Sequence, residues 1–236
     1  MSYAGMINQS LLDYPGEIVT VLFSRGCNMR CPFCHNPDLL IRPRIMTKPV
    51  EVDDALQHLL ERLGFLDGVV ITGGEPTLNP DLMEDIRRFK SHGFLVKLDT
   101  NGTNPTLLGE LLAEGWLDYV AMDIKAPLDF KAYRQAAGKL SGEDFFNLRT
   151  SIQLLMNSNI EVEFRTTVVP VLHAPEDILS IAQHIKGERL YTLQQFNPRI
   201  TLEPGYSTVV PYTKTEMEEI ADMCRPYTPT VRIINI

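Results

Sequence analysis

The residues best suited to chemistry are three cysteines, spaced Cys27-x3-Cys31-x2-Cys34 in the segment CNMRCPFCHN, residues 27–36. The chain of 236 residues has four cysteines, and the fourth, Cys224, is distant in sequence. Three thiolates on one short loop can ligate a metal centre and still leave a position for a further ligand, as catalytic sites do. The spacing therefore suits an iron–sulfur cluster in which one iron is not bound by cysteine.

Three other interpretations of this segment compete with the cluster. A helix would place positions i, i+4 and i+7 on one buried stripe, but Pro32 interrupts the segment and disfavours a helix. A structural disulfide fits poorly with clustered thiols in a reducing compartment. A zinc site stays open, because His35 could join the three sulfurs, although adjacent side chains in an extended loop diverge.

The elements that must position these cysteines alternate between strands and helices. Apolar runs of strand length occur at 17–23, 68–74, 94–102, 119–125, 160–169, 189–196 and 230–236. Helix patterns lie at 49–65, 80–93, 104–115, 145–159, 175–187 and 213–224, the second with Asn79 as its cap and Pro80 in its first turn. Segments 36–50 and 197–213 predict loops. The alternation predicts βαβ units, a parallel sheet and the α/β fold class.

Polar motifs follow several of these strands at their carboxyl ends. Cys27 follows the first strand, TGGEP (72–76) the second and DTNG (99–102) the third, and the fourth carries DIK (123–125). The carboxyl ends of parallel strands meet at one edge, where α/β proteins build their active sites. Glycines allow close backbone approach to a ligand, and Glu75 offers a carboxylate to an ammonium group. Each motif alone could equally be an ordinary turn.

The bulk composition sets the class of protein. Hydrophobic residues make up 44%, the net charge is −8 and the sequence pI is about 5.2, which argues against a nucleic-acid partner. No apolar run approaches the roughly 20 residues of a membrane span, and residues 1–17 lack a signal-peptide pattern. We expect a cytoplasmic protein with no membrane partner. We expect one domain, 1–236, with a short N-terminal segment, 1–16, and a C-terminal extension, 197–236.

The cysteine spacing, with Phe33 before the last cysteine, resembles the signature of the radical S-adenosylmethionine (SAM) enzymes. DYPG (13–16), GGEP, DTNG, DIK and FRTTVVP (164–170) extend the resemblance to the glycyl-radical-enzyme activases, which activate pyruvate formate-lyase and anaerobic ribonucleotide reductase. The resemblance implies a partial (β/α)6 TIM-type barrel. It also implies a [4Fe–4S] cluster on the three cysteines, and SAM chelating the fourth iron.

The resemblance further assigns roles to single residues. SAM would contact Phe33, Thr72, Gly73, Gly74, Glu75, Pro76, Lys125, Arg165 and Asn197, with the glycine motif at its amino group and Lys125 at its carboxylate. Asp99, Thr100 and Asp123 would bind a monovalent cation beside that carboxylate, which two uncompensated acids would otherwise repel. Asp13 would hold the backbone of a substrate glycine segment. Asn197 stands where some activases have a histidine, and Tyr14 where a glycine is usual.

The reaction implied is reductive cleavage of SAM to methionine and a 5′-deoxyadenosyl radical, with the electron supplied by an external donor such as flavodoxin or ferredoxin. The radical would then abstract hydrogen from a glycine of a partner glycyl-radical enzyme. Two alternatives stay open at this point. One is a radical SAM enzyme acting on a small molecule or nucleoside, and the other is a non-enzymatic iron–sulfur or zinc module.

Overall fold

The computed structural model describes residues 2–40, 49–187 and 190–235. Its strands are β1 Ser2–Tyr3, β2 Gly5–Ser10, β3 Val19–Ser24, β4 Val50–Glu51, β5 Gly68–Gly73, β6 Leu95–Thr100, β7 Tyr119–Asp123, β8 Glu161–Val168, β9 Leu190–Gln195 and β10 Thr230–Ile234. Its helices are α1 Val52–Leu60, α2 Leu82–Ser91, α3 Pro105–Ala113, α4 Phe130–Ala137, α5 Gly142–Met156, α6 Pro175–His184 and α7 Lys214–Cys224.

One sheet of eight strands organises the molecule, in the order β10-β9-β8-β7-β6-β5-β3-β2. All neighbours from β3 to β10 are parallel, and only β2 runs antiparallel, at the edge beside β3. The predicted α/β fold with a parallel sheet is confirmed. Strands β3 and β5 to β9 supply the six predicted β/α strands, and β10 extends their sheet. Within the described residues the edge strands β2 and β10 do not pair, so the sheet stays open on one side.

The helices cover the outer face of the sheet, where most of the core lies. A smaller apolar cluster fills the concave face: Tyr14, Val19, Val21, Val70, Tyr119 and Ala121. Successive strand residues point to opposite faces, so every second residue of β5, β6, β7 and β8 faces this interior. The same alternation places the polar residues of these strands above the small cluster, at their carboxyl ends.

One helix cap was not predicted, and the one that was predicted is displaced. Asn104 caps α3 by accepting a hydrogen bond from the Leu107 N–H, with Pro105 in the first turn. The predicted start of α2 at residue 80 is wrong by two residues, because the helix begins at Leu82. Asn79 there accepts from the Asp81 N–H and closes a turn before the helix.

Besides the two-residue strands β1 and β4, two elements were not anticipated, and part of one predicted loop lies outside the described residues. The N-terminal segment forms β2, and residues after β7 form α4, which is capped by Asp129. In the predicted loop 36–50, a 3-10 turn forms at Pro37–Leu39 and β4 at the end, while residues 41–48 lie outside the description. Among the described helices, none has the length and apolar character needed to cross a bilayer.

Candidate active site

The three clustered cysteines lie on an irregular loop after β3, and all three line one cavity of about 330 Å³ at the carboxyl edge of the sheet. Cys31 is buried, Cys27 and Cys34 are half-buried, and none of the three is in a disulfide. Residues 25–36 contain no helix, which removes the buried-stripe interpretation. The cavity is therefore the meeting point of the chemistry-bearing motifs.

Backbone contacts hold this cysteine loop from several sides. The Arg30 N–H donates to the Ala137 carbonyl at the end of α4 (2.7 Å), and the Glu203 N–H donates to the Pro32 carbonyl (3.0 Å). Gly138 has a φ of +67°, and a Cβ there would lie 1.9 Å from the Arg30 carbonyl oxygen. The close approach and the left-handed backbone both require glycine at 138. The unanticipated α4 thus serves as a support for the cysteine loop.

Two thiols of the loop, those of Cys31 and Cys27, are held in their neutral form. Burial raises the pKa of Cys31 to about 12, against an opposing effect of the Lys125 charge. Burial, followed by the nearby Glu75 carboxylate, raises the pKa of Cys27. A metal or cluster binds thiolates, so its binding here releases protons.

The glycines of the TGGEP motif bring two backbone segments into direct contact. Gly73 has a φ of +108°, and a Cβ on Gly74 would lie 1.8 Å from the Gly26 carbonyl oxygen. That same carbonyl accepts a hydrogen bond from the Glu75 N–H at 2.8 Å. The two glycines therefore join the end of β5 to the start of the cysteine loop.

We expect Gly74→Ala to lower the free energy of unfolding by about 3 kcal/mol, near the upper end for single substitutions, because the new Cβ would collide with backbone. The displaced loop should also lose its capacity to retain metal. Gly109→Ala is the matched control. Gly109 lies in α3, and a Cβ there would meet only the Leu154 side chain, at 3.9 Å. The control should be neutral or gain about 0.5–1 kcal/mol from helix propensity. Thermal unfolding and metal content measure both effects, and equal behaviour of the two variants would contradict this account.

Glu75 has other partners than the sequence suggested. Its side chain is buried, and its carboxylate accepts from the Thr77 N–H and hydroxyl, the Thr100 hydroxyl (2.8 Å) and the Asn101 N–H (2.7 Å). Burial raises its pKa, although these hydrogen bonds act in the opposite direction. Glu75 therefore ties the end of β5 to the end of β6, and its contact with an ammonium group stays a prediction.

The acids of DTNG and DIK form a compact ion-pair cluster with three basic side chains. Asp99 Oδ1 lies 2.7 Å from Lys97 Nζ, and Asp99 Oδ2 lies 3.0 Å from an Arg165 terminal nitrogen. Asp123 Oδ1 accepts from Arg165 Nε at 2.9 Å, and its Oδ2 accepts from Lys125 Nζ at 2.9 Å. Arg165 thus bridges the two carboxylates across β6, β7 and β8. The premise that the two acids are uncompensated is wrong, because three basic side chains pair with them and exceed them in charge.

The electrostatic consequences follow from these pairs. Burial alone would raise the pKa of Asp123, but the charges of Arg165 and Lys125 outweigh it and lower the pKa to about 2. Arg165 and Lys97 likewise overcome burial at Asp99 and hold its pKa below the usual value. The pKa of Lys125 is raised, since its attraction to Asp123 outweighs burial. Asp99, Asp123 and Lys125 therefore stay ionised at neutral pH.

Lys125 is fixed by two residues that the sequence analysis did not single out. Its backbone N–H donates to the Tyr133 hydroxyl at 3.1 Å, and its carbonyl accepts from His173 Nε2 at 2.8 Å. Both partners are buried, and the neutral His173 ring accepts from the Val169 N–H through Nδ1. Both ends of the residue are thus held, which directs its side chain into the cavity.

The other predicted site residues divide into those on the cavity wall and those away from it. Phe33, Thr72, Thr100 and Asp13 line the cavity with the residues already described. Pro76 is buried in the turn that follows Glu75, behind the wall. Asn197 is exposed, and its Oδ1 accepts from the Arg199 N–H, so it closes a local turn outside the cavity wall.

A second polar network beside Cys27 was also missed. Asn101 Nδ2 lies 3.8 Å from Cys27 Sγ and donates to Asn28 Oδ1 at 2.9 Å. Asn28 in turn donates to Thr103 and to Asp144 in α5. Asn101 lies within DTNG, where asparagine before glycine indicated only a turn. The sequence offered one signal for this network: Asn28 follows Cys27, and Asn101 follows the end of β6.

The donor set fits an iron–sulfur cluster. Among the described residues no three His, Cys, Asp or Glu side chains converge on one metal-ion position, as a mononuclear zinc site would require. Cysteines that ligate a [4Fe–4S] cluster bind different irons and need not converge on one point. Three sulfurs around one cavity, with polar and cationic groups opposite, suit a cluster together with a charged organic ligand.

Comparison with known proteins identifies the family. Residues 21–186 match the Radical SAM superfamily. A protein of Methanocaldococcus jannaschii, provisionally named a glycyl-radical enzyme activating enzyme, is 35% identical over 99% of this chain and 95% of its own length. The pyruvate formate-lyase-activating enzyme of Clostridium pasteurianum is 32% identical, over 83% of this chain and 80% of its own. The chain belongs to the radical SAM superfamily, whose members use a [4Fe–4S] cluster and SAM.

Solved structures support the same fold. Streptococcus suis SuiB bound to S-adenosylmethionine aligns with a TM-score of 0.69 at 15% identity, over 92% of this chain and 49% of that one. Escherichia coli QueE aligns with a TM-score of 0.57 at 17% identity, over 100% of this chain and 94% of that one. At these identities the similarity concerns the fold, which is the partial barrel expected from the sequence.

Proposed function

We propose that this protein is a glycyl-radical-enzyme activase. When bound, the cluster and SAM supply a one-electron cleavage that gives methionine and a 5′-deoxyadenosyl radical. The observation that carries the proposal is that Asp13 lines the same cavity as the three cysteines, in a chain similar over its full length to a protein named for this activity. The residues of the chain would bind SAM, exclude water and hold a peptide near the radical.

The segment before β3 has the features of a peptide-binding edge. Asp13 lies on the connection between β2 and β3 and is exposed, with a hydrogen bond from the Ser10 hydroxyl. A carboxylate can accept charge-assisted hydrogen bonds from the backbone N–H groups of a glycine segment. Leu11 and Leu12 directly before it are 68% and 93% exposed, which suits contact with a protein surface.

Tyr14 does not obstruct this edge. Its side chain is buried on the concave face and packs against the Tyr119 ring, with centroids 5.3 Å apart. The phenol ring therefore points into the sheet interior, while Asp13 beside it stays exposed. The departure from the usual DGPG pattern thus fixes the segment without filling the space in front of Asp13.

The electron donor and the compartment belong to the same proposal. We infer that flavodoxin or ferredoxin docks near Arg30, which is exposed and whose guanidinium donates to the Cys27 and Met29 carbonyls on the cysteine loop. An acidic carrier would meet a positive charge there, close to the cluster ligands. A cytoplasmic location follows from the need for reduced cysteines.

The test combines reduced protein, SAM and a candidate glycyl-radical enzyme, with electron paramagnetic resonance to detect a glycyl doublet. Asp13→Ala should lower the radical yield about tenfold or more, as loss of a charge-assisted contact implies, yet spare SAM cleavage without partner. Leu12→Ser should raise the partner concentration needed for half-maximal yield. Asp54→Ala, which removes an exposed carboxylate on α1, is the matched control and should change neither reading.

The second candidate function is a radical SAM enzyme acting on a small molecule. A protein of Pyrococcus horikoshii, provisionally named a GTP 3′,8-cyclase, is 38% identical over 54% of this chain and 41% of its own length, which favours it. The same experiment separates the two candidates. If no candidate protein acquires a radical, and a nucleotide or another small molecule instead loses a hydrogen atom to the 5′-deoxyadenosyl radical, the activase proposal fails and the second candidate stands.

A further inference from the structure

We infer that Lys97, together with Arg165, takes the place of the monovalent cation expected beside SAM, so that SAM binding in this protein does not require an alkali cation. The residues present do not fit that cation, because every carboxylate oxygen it would use already has a charged partner. Lys97 is a positioning residue in this account, since it acts through Asp99 and does not line the cavity. The inference concerns SAM binding and holds for either candidate function.

The hydrogen bonds of the two acids carry the first step. Asp99 Oδ1 pairs with Lys97 and Oδ2 with Arg165 and the Thr72 hydroxyl. Asp123 Oδ1 pairs with Arg165 and Oδ2 with Lys125. A metal ion on these oxygens would have to share them with ammonium and guanidinium groups already in contact. The added positive charge would repel these buried cations, and moving one of them away would leave a buried charge without its partner, which is strongly unfavourable.

The net charge of the cluster carries the second step. Two acids, Asp99 and Asp123, face three bases, Lys97, Lys125 and Arg165, so the cluster has a net charge of +1. The carboxylate of SAM therefore meets a net positive group with no metal present. Removing the charge of Lys97 would bring the cluster to neutrality and leave one oxygen of Asp99 open.

The burial of Lys97 carries the third step. The side chain is 3% exposed on the concave face, and its cross-strand neighbours are Val70 and Tyr119. Its ammonium lies 5.5 Å from the centre of the Tyr119 ring as well as beside Asp99. Burying an ammonium is costly unless it is paired, and nearby concave positions are filled by apolar residues. A lysine held here, directed at Asp99, is a fixed charge and not a solvated side chain.

The test measures SAM affinity by calorimetry on anaerobically reconstituted protein in sodium, potassium and tetramethylammonium chloride at equal ionic strength. The unchanged protein should bind SAM with the same affinity, within about twofold, in all three salts, because its charges are internal. Lys97→Met keeps the length of the side chain without its charge. Its affinity in tetramethylammonium should fall about tenfold, as loss of one nearby charge implies, and should recover in sodium or potassium.

Two further variants keep the result interpretable. Lys97→Arg keeps the charge and should keep the independence from salt. Lys90→Met removes the lysine of another partly buried ion pair, which it forms with Asp118 directly before β7. This variant should lower Tm without altering SAM affinity or its salt response. The unfolding temperature of the cluster-free proteins in the three salts gives a second reading. Only Lys97→Met should gain stability from a small cation.

The inference is overturned if the unchanged protein binds SAM only with sodium or potassium present. It is equally overturned if folded Lys97→Met retains both full affinity and indifference to the salt. Because the unchanged protein alone decides the first of these outcomes, a variant that fails to fold does not remove the test.

Discussion

Replacing any one of Cys27, Cys31 and Cys34 by alanine should leave a folded protein that holds no [4Fe–4S] cluster and does not cleave SAM. All three sulfurs line one cavity, and a cluster bound by two cysteines would lose a ligand that no neighbouring described cysteine can replace. The unchanged protein, reconstituted without oxygen, should contain about four irons per chain, as this cluster type requires. Iron and sulfide analysis with absorption spectra measures the loss.

Cys224→Ala is the control for this prediction. Cys224 is the last residue of α7 and is buried in the hydrophobic core, away from the cavity wall. It behaves there as a small apolar residue. Its replacement should cost some stability through the lost volume and leave the iron content unchanged. A cluster that survives alanine at 31, or that disappears with Cys224, would contradict the assignment of the ligands.

Glu75→Gln should produce the second large effect. The carboxylate accepts four hydrogen bonds in a buried position. In a glutamine, the side-chain NH2 group cannot accept, so at least one of these four donors would lose its acceptor. Each buried donor left without an acceptor costs about 1–3 kcal/mol. The ends of β5 and β6 should then separate, which displaces Gly73 and Gly74 and weakens SAM binding as well as stability.

The matched control for this change is Glu84→Gln. Glu84 is an exposed acid in α2, paired with Arg87, and faces solvent. It should leave the unfolding temperature and the SAM affinity unchanged. Chemical unfolding and calorimetry give both quantities. If Glu75→Gln binds SAM normally while losing stability, Glu75 supports the fold but does not position the cofactor motif.

The parallel sheet could be read from the sequence because its strands are buried on both faces. Strand β5, for example, is a continuous apolar run that ends in glycines, and the helices on either side have clear amphipathic patterns. Strand β2 gave no such signal, since half of its six residues are polar and none is buried at this sheet edge. Helix α4 was missed because it is short and has few large apolar residues, although Asp129 is a standard cap.

The site could be located from the sequence, but its pairings could not. The cysteines, TGGEP, DTNG and DIK meet in one cavity because strand ends of a parallel sheet share an edge. The partner of each charge depends on which residues face each other across strands, and this requires the register. Lys97 illustrates the difficulty, since a lysine in a strand usually faces solvent, whereas here it faces the concave interior beside Asp99.

The central claim is that the three cysteines hold a cluster with one iron open to SAM. The most direct test is to incubate the reduced, iron-loaded protein with SAM and to measure 5′-deoxyadenosine and methionine by mass spectrometry. Both products should form in equal amounts with the unchanged protein, and neither should form with Cys31→Ala. Fully iron-loaded, reduced protein that yields neither product, or anaerobically purified protein that holds stoichiometric zinc and no iron, would contradict it.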